Sequence, residues 1–335
     1  MKKVLVVGAG GFAGGFIVEE GLRRGYQVYA GVRASTSKEY LTDPRIKFVV
    51  FDFESPETIA AAIKETFPDE NEKWDWIVYN LGATKAISFS DFSKINYEYL
   101  KSFIEALKST GKLPEKFLYM SSLSVMGPRH EKDNGKFTEK DIPQPNTRYG
   151  ASKLKAEMLL TMENVPFIIF RATGIYGPRD KDYFLMLKTI SKGFDFSAGY
   201  KRQMLTFIYV EDLAAAIYDA LEKAPTGQTY LISEDADYTQ KEFRKIALNA
   251  LGKKRVFSLP MPLWAVKMVS AVAEKWGVAK MKPSTLNRDK YNIMKQRNWK
   301  ADVSKAKKDF GFNPKVSLKE GISHATAWYK KEKWL

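Results

Sequence analysis

Tyr149 and Lys153 stand four positions apart in TRYGASKLKAEMLL, 27 residues after Ser122 of FLYMSSLSVMG. On a helix, positions i and i+4 share a face, so a phenol and an ammonium there can open into one small pocket. A free phenol, with a pKa of ~10, is a poor acid or base at neutral pH; a nearby ammonium favours the phenolate, and each unit of downward shift is worth about 1.4 kcal/mol. Lys153 is therefore expected to make Tyr149 a usable proton donor. Together with Ser122 and the glycine turn that opens the chain, VLVVGAGGFAGGF, the pair suits the proton step that accompanies hydride transfer on a nicotinamide cofactor.

The Tyr–Lys spacing recurs at Tyr97 and Lys101, Tyr291 and Lys295, and Tyr329 and Lys333, as chance allows in a lysine-rich chain. Tyr149 alone follows an apolar run ending in serines (117–122) and precedes another ending in Arg171. Ends of neighbouring parallel strands have this form.

Those strands recur through the first half of the chain. Apolar runs at 4–7, 28–32, 48–51, 76–79, 117–120 and 167–170 alternate with helical patterns at about 12–24, 55–66, 91–109 and 147–163. Short apolar strands between helices predict a parallel sheet, hence an α/β fold built on a doubly wound Rossmann domain. We place that domain at 1–171, receiving also about 205–235, and a smaller, mostly helical substrate-binding or lid region at 172–335. The ligand is expected between them.

The first strand runs into VGAGGFAGGF, where Gly8, Gly11 and Gly14 give GxxGxxG at the start of a helix. Gly8, Gly10 and Ala13 satisfy GxGxxA equally, so spacing alone leaves the subtype open. Either form lets the backbone bend sharply toward a pyrophosphate at a helix N-terminus, with Phe12 opening that helix. The second strand ends Val32, Arg33, Ala34, Ser35 with no carboxylate for the ribose hydroxyls; arginine there suits a 2′-phosphate. NADP is therefore expected over NAD, with Arg33 and Ser35 as phosphate contacts. Asp52, beside Phe53 at the end of the third strand, is placed to receive the adenine amino group or to cap the next helix, and Asn80, Leu81 and Gly82 continue from the fourth strand along the same cleft.

The 335 residues contain no cysteine, which removes disulfides, thiolate metal sites and a cysteine nucleophile and fits a cytoplasmic setting. The two histidines, His130 and His324, are too few and too isolated for a metal site. Residues 241–335 carry 23 Lys+Arg against 7 Asp+Glu, net +16, whereas residues 1–240 carry 31 against 32. That asymmetry suits a solvated face, an anionic substrate or peripheral contact with an anionic membrane, and no nucleic-acid-binding motif accompanies it. In PMPLWAVKMVSAVAEKWG, Trp264, Met268, Val272 and Trp276 recur at four-residue steps, a stripe that could be core, line a lipophilic pocket or touch a membrane.

Taken in order, VYNLGA, Asn96 in KINYEYL, SSLSVMG, YGASK, RATGIYGP, TFIYVEDLAAAI, DFGFNP and SLKEGI resemble the extended short-chain dehydrogenase/reductase family, of the NAD-dependent epimerase/dehydratase type, over essentially the whole chain. The resemblance implies that Ser122 holds the substrate oxygen, Tyr149 passes the proton, Lys153 binds the nicotinamide ribose, and Asn96 supports a proton relay or merely faces its helix. It also implies a homodimer through the helices near 91–109 and 147–163. Departures narrow the subclass. Leu123 and Ser124 come directly after Ser122, where dehydratases carry an acid. Gly174 and Leu205 stand where nucleotide-sugar enzymes place an Asn and an Arg that grip a diphosphate, although Lys201 or Arg202 lies near. The pattern looks like 3β-hydroxysteroid dehydrogenases and dihydroflavonol reductases, so a dehydrogenase of an apolar, non-nucleotide small molecule is expected. The alternatives are a nucleotide-sugar epimerase and a non-catalytic NADP-sensing protein.

Overall fold

The computed structural model describes residues 1–129, 133–282, 284 and 286–335; His130 lies outside them. Runs rich in β-branched and aromatic residues become strands: β1 (Lys3–Val7), β2 (Gln27–Val32), β3 (Lys47–Val50), β4 (Trp76–Tyr79), β5 (Lys116–Ser122) and β6 (Phe167–Ala172). Between them lie α1 (Phe12–Arg23), α2 (Pro56–Thr66), α3 (Phe89–Ser93), α4 (Tyr99–Ser109) and α5 (Arg148–Met162). Polar caps start three of these helices where the chain leaves extended conformation: Ser55 with Pro56 for α2, a Ser88–Asp91 capping box for α3, and Thr147 for α5. The helix expected over 91–109 starts earlier, at Phe89, and is broken by a π-helical turn, Lys94–Glu98.

The second half adds β7 (Gly174–Tyr176), α6 (Asp182–Ser191), β8 (Phe194–Ala198), β9 (Met204–Leu205), β10 (Phe207–Tyr209), α7 (Val210–Lys223), β11 (Gln228–Ile232) and β12 (Tyr238–Thr239). It ends with α8 (Gln240–Leu251), β13 (Phe257–Met261), α9 (Leu263–Ala279), α10 (Arg288–Lys295), α11 (Ser304–Phe310) and α12 (Leu318–Lys331).

Among the described residues, seven strands form one parallel sheet in the order β11-β6-β5-β4-β1-β2-β3. The alternation of side chains divides each strand between two cores. Val4 and Val6 pack with α1, α7 and α11; Leu5 and Val7 pack with α2, α4 and α5. The winding reverses between β1 and β4, which opens a crevice at the carboxyl ends of those strands.

Part of the C-terminal half returns to this sheet. β11 pairs with β6, and α7 packs on α1. Residues 303–312, expected in the substrate region, join the first core: the Phe310 ring stacks on Phe170 at 5.9 Å and meets Tyr230 at 5.1 Å. A separate core gathers Tyr176, Leu187, Phe207, Phe243, Ile322 and Tyr329 from α6, α8, α12 and the β7–β10 pair. Two further short pairs, β8–β13 and β9–β12, make this region less purely helical than expected.

Gly14 ties α1 to the end of β1. A Cβ there would lie 2.2 Å from the Gly8 carbonyl oxygen and 2.8 Å from Ala9 Cα, both backbone atoms unable to swing aside. A Gly-to-Ala change in a helix interior ordinarily gains up to about 1 kcal/mol in propensity. Here overpacking reverses the sign, and Gly14→Ala is expected to lose about 1–3 kcal/mol of unfolding free energy by urea titration.

Candidate active site

The crevice is lined by the turns that leave the carboxyl ends of the strands. Gly8 ends β1 with φ +82°, and a Cβ on it would sit 2.9 Å from the backbone of Leu81, so the turns after β1 and β4 touch. Gly8 and Ala9 amides both donate to Gly31 O, at 3.0 and 3.3 Å, and Asn80 N donates to Val7 O at 3.0 Å. α1 begins after Gly11 with no side-chain cap and no acid in its first turn, so its leading amides meet no protein acceptor from a cap. A Cβ on Gly11 would meet only Gly8 O, at 3.3 Å, which leaves that side of the turn open. An uncapped, carboxylate-free helix start beside an open glycine fits a dinucleotide pyrophosphate. Gly10 instead faces the Thr36 methyl group in the loop after β2.

In that loop Arg33 and Ser35 are exposed, and Thr36 closes a turn onto the Arg33 backbone through its amide and its hydroxyl. Asp52 is also exposed; its Oδ1 accepts from Glu54 N at 3.1 Å, while Ser55 takes the cap of α2. Phe53 is buried and stacks on Tyr99 at 5.5 Å.

Ser122 closes β5, opposite Ala172 of β6. Its Oγ accepts from Ser124 N at 3.2 Å and from Ser124 Oγ at 3.0 Å, which fills its lone pairs and frees its own proton to be donated. Tyr149 sits in the first turn of α5, its ring beside Phe92 at 6.1 Å. Burial pushes its phenol up to about 12, and a hydrogen bond with Ser122 works against that rise.

Lys153, one turn on, is buried: Nζ donates to Met120 O at 2.8 Å and lies 4.7 Å from the centre of the Tyr119 ring. Burial lowers it to about 7, with the Glu157 carboxylate pulling upward. The expectation that Lys153 depresses the Tyr149 pKa is not met in this geometry. One Lys153 N–H goes to a main-chain carbonyl, and burial dominates the phenol.

Asn96 lies wholly buried on the π-helical turn, a widened geometry common where a helix carries a site. Its Oδ1 accepts from Ala83 N at 2.8 Å, and Nδ2 donates to Ala83 O at 3.1 Å and to Ser152 Oγ at 2.9 Å. Both amide protons are thus committed to holding the turn after β4 against α5. A Cβ on Gly82 would come within 2.9 Å of Lys153 Nζ and 3.1 Å of Asn96 Oδ1, so the empty side of that glycine is where the lysine fits.

Sequence reasoning missed the support beneath this group. Below Lys153, Glu157 accepts from Arg171 Nη2 at 2.7 Å and from Ser121 Oγ at 2.5 Å, all three side chains buried. The i+4 step from Lys153 to Glu157 was the available signal. At the start of α5, Arg148 bridges Asp289 of α10 at 3.2 Å and Glu274 of α9 at 2.8 Å, and Asp289 also accepts from Tyr149 N at 3.3 Å. No local pattern announces partners more than 100 residues apart. His324 packs against Tyr209, and no group of three metal-ligating side chains occurs among the described residues.

Two consequences can be measured. Arg171→Met strands a buried carboxylate and is expected to cost about 3–5 kcal/mol in chemical denaturation. Lys153 has a folded pKa below its unfolded one, so the unfolded chain binds the extra proton between about 7 and 10.5; the folded state therefore gains stability as pH rises through that window. Lys153→Met should remove that part of the pH dependence of the unfolding free energy.

Residues 4–233 match the model of the NAD dependent epimerase/dehydratase family. The UDP-glucose 4-epimerase of Vibrio cholerae is 24% identical over 338 residues, covering 96% of this chain and 93% of that protein. The decarboxylating sterol-4-alpha-carboxylate 3-dehydrogenase of Dictyostelium discoideum is 23% identical over 340 residues, covering 96% and 99%. Among solved structures, the dTDP-glucose 4,6-dehydratase of Bacillus anthracis in complex with NAD superimposes with a TM-score of 0.78 at 21% identity, covering 100% of this chain and 98% of that one, a likeness of fold.

Proposed function

The chain belongs to the NAD-dependent epimerase/dehydratase family, an enzyme family, and on that premise we propose that it is an NADP-linked oxidoreductase acting on a secondary alcohol or ketone of an apolar, non-nucleotide molecule. The observation that carries the substrate class is at Gly174. Ser122 is opposite Ala172, so Gly174 lies two residues beyond the site; a Cβ there would fall 2.2 Å from the Tyr183 hydroxyl and 3.4 Å from the Phe207 ring. Aromatic side chains occupy the space that an asparagine would need. Leu205, the other departure, packs against the apolar cluster of Tyr176, Phe207 and Phe243, and Arg202 beside it is exposed. Diphosphate recognition draws on charge-assisted donors, and Tyr183, Phe207 and Leu205 are uncharged. The sterol dehydrogenase relative supports the same reading.

A bound nicotinamide cofactor supplies or accepts the hydride. The amides of the Gly8–Gly14 turn would hold its pyrophosphate, Arg33 and Ser35 its 2′-phosphate, Asp52 and Phe53 its adenine end, and Asn80, Leu81, Gly82 and Lys153 its nicotinamide half. Ser122, its lone pairs filled by Ser124, directs its proton to the substrate oxygen or to Tyr149. Tyr149 keeps its proton at neutral pH and passes it to the oxygen as negative charge develops there. Leu123 and Ser124 offer no carboxylate beside Ser122 to help expel water.

The epimerase reading is the alternative, supported by the Vibrio cholerae relative, and a sensor that keeps the cofactor without turnover is the third. A homodimer through α4 and α5 belongs to the proposal, supported by Met158 and Met162, exposed one turn apart on α5. A cytoplasmic setting, supported by the lack of cysteine, belongs to it too.

Tyr149→Phe is expected to abolish turnover while leaving NADP binding unchanged; retained turnover would remove Tyr149 from its role, and a wild type that binds but never turns over would leave the sensor. Titration calorimetry should show NADP binding more tightly than NAD, with the difference lost in Arg33→Ala. Native mass spectrometry finding NAD retained by the purified protein would favour epimerisation instead.

A further inference from the structure

We propose that the outer face of α9, with the adjoining β8–β13 pair, docks on an anionic lipid bilayer. Trp264, Met268, Val272 and Trp276 are 68%, 60%, 58% and 65% exposed, at four-residue steps along one side of α9, while Val266 and Ser270 bury the other side. The stripe is therefore not core. β13 runs into α9 through Pro262, and its register with β8 sets Phe194 beside Phe257 and Phe196 beside Leu259, all four exposed. The alternate residues point inward, with Asp195 paired to Arg244 at 2.6 Å and accepting from Ser258 at 3.3 Å. A soluble monomer rarely leaves so many large apolar side chains together on its surface.

Charge decides what covers them. Between residues 253 and 282 there are seven Lys or Arg and one acid, Glu274, which is held by Arg148 and Arg288. None of the seven pairs with a carboxylate among the described residues. Lys267 and Lys275 rise from α9 itself, and Lys280 lies 5.0 Å from the centre of the Trp276 ring. A second copy across a two-fold axis would bring these like charges together. An anionic bilayer accepts both components: indole rings settle at the headgroup level, and lysines reach past them to lipid phosphates. Among the described residues no helix is long and apolar enough to cross a membrane, so the contact lies in the interface. The surface is also joined to the site, because Glu274 of α9 holds Arg148, the neighbour of Tyr149. Docking does not depend on the proposed reaction.

The test is co-sedimentation of the full chain with vesicles of phosphatidylcholine alone or mixed with phosphatidylglycerol, alongside quenching of tryptophan fluorescence by bromolipid. Wild type should bind mixed vesicles and lose about tenfold or more in affinity on the neutral ones, in high salt, or after Lys267→Glu with Lys275→Glu. Trp264→Gln with Trp276→Gln should abolish binding while thermal unfolding and NADP binding stay as in wild type. Should that variant not fold, quenching of the wild type on mixed but not neutral vesicles supports docking by itself. Absence of binding and quenching on mixed vesicles overturns the proposal, as does full binding by the folded double variant. So does an oligomer in solution that the double variant dissolves, since a second copy would then cover the face.

Discussion

An ammonium buried between a helix and a sheet is the constraint on which the rest of the site depends. Lys153 has lost most of its water, and Met120 O replaces part of it. Its remaining compensation is the field of Glu157, which is itself buried and would be untenable without Arg171 and Ser121. These partners come from α5, β5 and β6, so the charge chain also fixes how α5 lies across two strand ends. Ser122 and Tyr149 are placed by the same lock, each next to one of its members.

Cofactor chemistry adds a second demand, for closeness between backbones. The turns after β1 and β4 approach until no side chain fits on Gly8, and the turn after β4 leaves Gly82 bare where Lys153 enters. Asn96 holds this second turn through two contacts with Ala83 and ties it to α5 through a third with Ser152, and the π-helical turn carries it into reach. A narrow crevice with a rigid floor results, built from missing side chains as much as from present ones.

Much of this was legible in the residues. Short continuous apolar runs marked the first six strands of the sheet and a 3.6-residue period marked, within a residue or two, most helices beside them, because burial on both faces leaves a strand apolar throughout. The seventh strand, β11, is not among the runs that the sequence marks as strands; its segment is only assigned, within about 205–235, to the first domain. The rest was set by tertiary partners. The break of the helix at Lys94–Glu98 obeys no propensity signal, and Phe310 reaches Phe170 only because α11 folds back across 140 residues. The bond from Lys153 to Met120 O and the burial that dominates the Tyr149 phenol depend on surroundings that spacing does not encode. Whether the Trp264–Trp276 stripe faces core or solvent was likewise undecidable from periodicity, since an amphipathic pattern marks a face without saying what lies against it.

The contact between Gly174 and Tyr183 bears on how this chain could have diverged from its relatives. An asparagine at 174 collides with the Tyr183 hydroxyl, and a smaller residue at 183 alone would open a void beneath Phe207 and Tyr176, whose rings it now meets at 5.7 and 6.2 Å. Each single step is therefore unfavourable, and only the pair restores packing. The two positions are coupled through one packed volume, so the choice of residue at 174 is held in place by the ring at 183 rather than by anything the residue at 174 does itself.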